Sequence, residues 1–120
     1  DAQGQQPSSL QQQDDEKIYA IVDTAPSFPG GMSAMMKYLA ENIRYPEAAV
    51  KARKQGRVMV LFVIERNGEV SHARVVQGIS TELDQEALSV VSAMPKWEPG
   101  RHQGKVVRTR YIVPIVYRLK

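Results

Sequence analysis

The 120-residue sequence has no cysteine, which excludes disulfides, thiol nucleophiles and thiolate metal sites. Its two histidines, His72 and His102, are too few for a histidine metal cage. No apolar run approaches the roughly 20 residues that a bilayer-spanning helix needs. Residues 1–16 carry no Lys or Arg, and residues 101–120 carry no Asp or Glu. The chain begins at Asp1 with neither Met nor a basic, then apolar, leader, so it reads as a piece of a longer protein.

What is there fits one soluble domain with one core, at 42% apolar and 24% charged residues. The net charge of +3 hides an asymmetry, because all 16 basic side chains follow residue 16. A basic surface attracts nucleic acid, anionic lipid or acidic protein and by itself chooses none of them. Residues 1–16 hold six Gln and a single large apolar residue, Leu10. They cannot bury enough apolar surface to offset their ordering entropy and read as a flexible linker, leaving 17–120 as the domain.

Within the domain, Ile18–Val22 is a short β-like run, followed by a turn at Phe28-Pro29-Gly30-Gly31. Met32, Met35, Met36, Leu39 and Ile43 fall at helical spacing, a stripe expected to face the core. Tyr45-Pro46 breaks that helix and opens a shorter one reaching about Lys54, with Gly56 as its C-terminal cap. Arg57–Ile64 is the strongest strand. Glu65-Arg66-Asn67-Gly68 is a hairpin turn, either a two-residue loop or a longer loop with a bulge. The return strand runs from Glu69 to about Gln77. Thr81 with Asp84 resembles a capping box, and Leu83, Ala87, Val90, Val91 and Met94 follow at helical spacing until Pro95. Trp97–Gly100 reads as a turn. Trp97 is expected in the core with its indole N–H bonded to a backbone carbonyl. From Val106 to Leu119, Val107, Thr109, Tyr111, Val113, Ile115 and Tyr117 share one face.

The order α-α-β-β-α-β predicts an α+β, two-layer fold. It has a three-stranded antiparallel sheet with helices on one face and room for an extra N-terminal strand. One feature conflicts with a solvated second face. The Arg57–Ile64 strand is apolar on both sides, with Met59, Leu61 and Val63 opposite Val58, Val60, Phe62 and Ile64. Either residues 18–28 or a second chain must cover that face.

Catalytic, metal and cofactor sites are not expected. Gly100–Lys105 has the wrong spacing and no strand-to-helix context for a phosphate loop, so it reads as a plain loop. Ser71 and His72 are strand neighbours that should point to opposite faces. Glu82, Asp84 and Glu86 complement a helix N-terminus. The aromatic fingerprint of one RNA-binding fold and the GXXG clamp of another are missing, so no nucleic-acid partner is expected.

Taken in order, several motifs are similar to one family. They are Tyr45-Pro46-Glu47-Ala48-Ala49, Gly56–Ile64, Asn67-Gly68-Glu69-Val70, Leu83–Leu88, Trp97-Glu98-Pro99-Gly100 and the final strand. From residue 26 to 120 the chain resembles a TonB C-terminal domain, with a Ser27-Phe28-Pro29-Gly30-Gly31 entry like that of Bacteroidetes-type members. The resemblance implies a non-enzymatic periplasmic domain of an inner-membrane-anchored protein. In that family an upstream anchor couples to a proton-driven motor. The last strand grasps the TonB box of an outer-membrane transporter. Transferred by position, the partner-binding residues are Arg108, Thr109, Arg110, Tyr111, Ile112, Val113, Pro114, Ile115 and Val116, together with Asn42, Ile43, Arg44, Tyr45 and Pro46. The resemblance also allows a homodimer by strand exchange. A second reading is the TonB-like tail of a membrane sensor peptidase resembling BlaR/MecR, with a regulatory or protein-binding role.

The residues support an edge on their own terms. Pro114 lacks an N–H and belongs on an edge strand. If Tyr111, Val113 and Ile115 pair inward, then Arg110, Ile112 and Val116 present backbone outward, and such an edge invites strand addition. Arg108 and Arg110 add positive charge beside it, and the same charges with Pro114 also guard an edge against aggregation.

Overall fold

Side chains of residues 105–117 alternate between buried and exposed, and that alternation sets the architecture. The computed structural model describes residues 17–119, so the linker expected over 1–16 lies outside the described residues. The elements are β1 (Ile18–Tyr19), α1 (Gly31–Asn42), α2 (Glu47–Lys51), β2 (Gly56–Ile64), β3 (Val70–Gln77), α3 (Thr81–Ser92), β4 (Gly100–His102) and β5 (Lys105–Tyr117). The sheet runs β1-β5-β2-β3, and β4 also pairs with β5. β2 lies antiparallel to β5 from Gly56↔Tyr117 to Ile64↔Thr109. The expected three-stranded α+β layer is therefore present, with β1 as the extra N-terminal strand and β4 as an addition.

Helices cover one face. Val58, Val60, Phe62 and Ile64 of β2 and Val113, Ile115 and Tyr117 of β5 pack with Met35 and Leu39 of α1 and with Leu83, Ala87, Val90 and Val91 of α3. Each such Val, Leu, Ile, Phe or Met side chain contributes about 1.5–3 kcal/mol when taken out of water. Trp97 closes the end of this core. Its ring centroid lies 5.6 Å from those of Phe28 and Phe62 and 5.1 Å from that of Tyr111.

Several local expectations give way to other physics. The methionine stripe divides, with Met32 and Met36 about 60% exposed and α1 turning Met35 and Leu39 into the core. α2 is not capped by Gly56. Its last turn closes on Arg53, at φ 57°, with Arg53 N–H donating to Val50 O and Lys54 N–H to Ala49 O. This is a Schellman closure with a non-glycine residue at the left-handed position. The N-cap of α3 is Ser80, whose Oγ accepts from Leu83 N–H; Asp84 accepts the N–H of Ile79 at 2.9 Å. The cap thus sits one residue earlier than Thr81, and Asp84 holds Ile79 instead of closing a capping box.

The hairpin takes the longer loop. Gly68 N–H donates to Glu65 O and Glu65 N–H to Glu69 O, and Gly68 sits at φ 90°, a turn followed by a glycine bulge. Its carbonyl accepts the backbone N–H of Trp97 at 2.8 Å, and a Cβ on Gly68 would collide with the Trp97 carbonyl. Only glycine fits there. The indole N–H of Trp97, expected to find a carbonyl, is buried without an acceptor among the described residues. The Gly100–Lys105 stretch is not a plain loop but a tight hairpin, β4–Gln103-Gly104–β5, with both turn residues at positive φ. Ser71 and His72 do meet, with Ser71 Oγ 2.9 Å from His72 Nδ1. The cause is a bulge, since His72 has φ 51° and the β2–β3 register slips between Leu61 and Val63.

Candidate functional site

Pro114 fixes which side of β5 is free. It stands opposite Met59 of β2 and has no N–H to give, so its backbone points away from β2. Backbone direction alternates along a strand. Tyr111, Val113 and Ile115 therefore pair inward with Phe62, Val60 and Val58. Arg110, Ile112 and Val116 present backbone on the opposite, outer rim. The other end of β5 obeys the same phase. Lys105 closes the two-residue turn against His102, and Val107 pairs with Gly100, so β4 and β2 follow one another along a single side.

The outer rim carries β1 at its start. Ile18 and Tyr19 pair in parallel with Arg108 and Thr109. A two-pair parallel register reaches the outward amides on either side of it, up to Arg110. Beyond that point, from Ile112 to Val116, no strand pairs with the rim among the described residues. β1 is short because Asp23 and the following chain turn over the β4–β5 hairpin instead. Asp23 accepts the N–H of Gln103 at 2.8 Å. Thr24 bridges to Arg101, and Ser27 to Glu98.

Each residue singled out in the sequence now has a place. Thr109, Tyr111, Val113 and Ile115 face the helices, and Thr109, Val113 and Ile115 are buried. Arg110, Ile112, Pro114 and Val116 are exposed on the other face. Arg108 is not a free charge. Its guanidinium holds Glu65 through Nε at 2.8 Å and through Nη2 at 3.2 Å, and Ser71 Oγ–H donates to the same carboxylate. The Arg108 hydrogen bonds keep the Glu65 carboxyl below the usual carboxylate range despite partial burial. This cluster ties the start of the outer rim to the β2–β3 turn. Sequence spacing alone could not pair residues 43 apart.

The second stretch, 42–46, joins α1 to α2. Asn42 Nδ2 donates to Tyr38 O at 2.8 Å, and Arg44 N–H donates to Glu86 at 3.0 Å. Ile43 packs against the core, and Pro46 is the N-cap residue of α2. Tyr45 stacks edge-on against Tyr117 with centroids 5.3 Å apart and donates its hydroxyl to Lys54 O. That ring contact links the corner to the C-terminal end of β5, on the helix side of the sheet. Burial, reinforced by Glu86 and Asp84, pushes the Tyr117 hydroxyl pKa far up, so it stays protonated at any physiological pH.

The opposite sheet edge is a poorer template. β3 carries two register slips against β2, and bulges of this kind twist an edge away from pairing. Among the described residues, no three His, Cys, Asp or Glu side chains converge as a metal site would require. No helix among them is long and apolar enough to cross a membrane.

The profile of the Gram-negative bacterial TonB protein C-terminal family matches residues 41–119. The chain belongs to that family. It is similar to two solution structures of the TonB C-terminal domain of Helicobacter pylori. One has a TM-score of 0.57 at 26% identity, covering 74% of this chain and 80% of that one. The other has 0.54 at 26% identity, covering 74% of this chain and 94% of that one. No curated protein sequence matches this chain. TonB C-terminal domains are periplasmic-type interaction modules, not enzymes, and the family takes part in TonB-dependent energy transduction. This TonB C-terminal domain is thus a scaffold whose chemistry is backbone and surface.

Proposed function

We propose that the outer rim of β5 receives the TonB box of an outer-membrane transporter by strand addition. The upstream chain, anchored in the inner membrane, would then transmit the pull of a proton-driven motor to that transporter. The observation that carries this reading is the run from Ile112 to Val116, unpaired among the described residues, on a regular strand whose inner side is fully engaged with β2. Outward N–H groups of Ile112 and Val116 and the outward carbonyls, Pro114's included, supply the hydrogen bonds. Arg110 supplies charge beside them.

The arrangement also suits load. Several backbone hydrogen bonds, broken together, resist a pull better than a few side-chain contacts. β5 is itself held on its other side by the nine-pair register with β2. In this reading Tyr45 and Pro46 support the end of β5 through Tyr117, while the rim makes the primary contact.

The test is titration of the isotopically labelled chain with N-terminal transporter peptides, followed by backbone amide shifts. Shifts centred on Ile112–Val116 support the reading. Shifts centred on β3 or the helices would overturn it.

A further inference from the structure

Among the described residues, the sheet face turned away from the helices is only partly covered along its centre. Leu61 pairs with Ile112 and Met59 with Pro114 across β2 and β5. All four point away from the helices; Met59 and Leu61 are half-buried, and Ile112 is 48% exposed. Residues 18–28 cover this face only in part: Ile18 borders a groove of about 530 Å³ with Leu61, Val63 and Arg74, Ala20 lies beside Leu61 and Ile112, and Val63 is buried.

The charge around this apolar strip has one sign. β2, β3 and β5 contain no Asp or Glu. Arg57, Arg74 and Arg110 are exposed and form no ion pair among the described residues. Glu65, at one end of the face, is already taken up by Arg108 and Ser71.

The geometry points to a second docking surface, one that seats an acidic amphipathic helix of a protein partner. The backbone beneath the face is committed to the β5-β2-β3 ladders, so only side chains are on offer. A strand adds to an edge, whereas a helix lays an apolar stripe over a sheet face. Carboxylates flanking that stripe would give the Arg57 and Arg74 guanidiniums charge-assisted, bidentate partners, leaving Arg110 to the rim. A bilayer fits less well, because the outward positions of these strands hold no Trp or Tyr to sit at a headgroup level. A second copy would bring two sets of unpaired arginines together. The helix would lie over β2, beside and not on the rim that takes an extended peptide, so one domain holds two partner segments at once.

The probe is a stapled helical peptide with a leucine stripe flanked by glutamates, added to the full chain and followed by side-chain methyl shifts of Met59 and Leu61. These methyls sit on β2, away from the strand-adding rim, so failure here is distinct from failure there. The glutamate peptide is expected to move them saturably. Its lysine counterpart should not, and Arg57→Glu with Arg74→Glu should weaken binding by at least about tenfold, the equivalent of one carboxylate–arginine pair lost. Equal response to both peptides, or no response to either, overturns the proposal. Movement of the same methyls by phosphatidylglycerol vesicles, or by raising the chain's own concentration, while the glutamate peptide leaves them unmoved, overturns it in favour of a bilayer or a second copy.

Discussion

Pro114 faces Met59 across the β2–β5 ladder, and because proline has nothing to donate, this one pair sets the phase of the whole strand. Neighbouring residues on β5 then have opposite fates. Val113 belongs to the sheet, and Ile112 belongs to whatever binds outside it. Ile112→Pro should leave unfolding nearly unchanged and reduce capture of an extended transporter peptide. Val113→Pro should leave the Val60 carbonyl unpaired and cost about 1–3 kcal/mol from that group alone. Urea unfolding of both variants, with peptide titration of the first, checks the phase.

Glu65 carries a pH signature. Its pKa is lowered in the fold, chiefly by the Arg108 hydrogen bonds. The stability it contributes is therefore fully present above its unfolded value near 4.5 and is lost as pH falls through the lower folded value. Denaturation measured from pH 7 down to pH 3 should show the wild type losing stability below about pH 4.5. Glu65→Gln should be less stable at pH 7 and show a smaller acid loss. A variant as acid-sensitive as the wild type would contradict the pairing.

Arg53 pays a conformational cost at the end of α2, at φ 57°. A side chain in the left-handed region costs about 1 kcal/mol relative to glycine. Arg53→Gly should raise stability by roughly 0.5–1 kcal/mol, less whatever flexibility it adds to the unfolded chain. Thermal unfolding reads the difference.

Gly68 should tolerate nothing larger. Its φ of 90° and the Trp97 carbonyl against it combine backbone strain with collision. Gly68→Ala is expected to cost about 1–3 kcal/mol from strain alone and to disturb the aromatic cluster around Trp97. Tryptophan fluorescence, together with unfolding, separates a local change from global loss.

Much of this was readable from residue order. The period-2 pattern of residues 106–119 and the doubly apolar β2 gave the sheet, and Leu83–Val91 gave α3, because burial on one face imposes a period that side chains cannot hide. The proline at 114 marked the open strand for the same local reason. What the sequence concealed depends on contacts between distant residues or on single backbone torsions. A bulge at His72 turns it toward Ser71, against the alternation that strands normally obey. The Arg108–Glu65 pair exists because β5 and the β2–β3 turn meet in space. β1 is two residues long because the chain after it is captured by the β4–β5 hairpin, a hairpin that its glycine-flanked, basic composition disguised as a loop.

Amide hydrogen exchange along β5 tests the central claim most directly. In the free chain the N–H groups of Tyr111, Val113 and Ile115 should exchange slowly and those of Ile112 and Val116 fast, and adding a transporter peptide should slow the fast pair. Ile112 and Val116 already protected in the free chain, or unprotected with peptide bound, would contradict it.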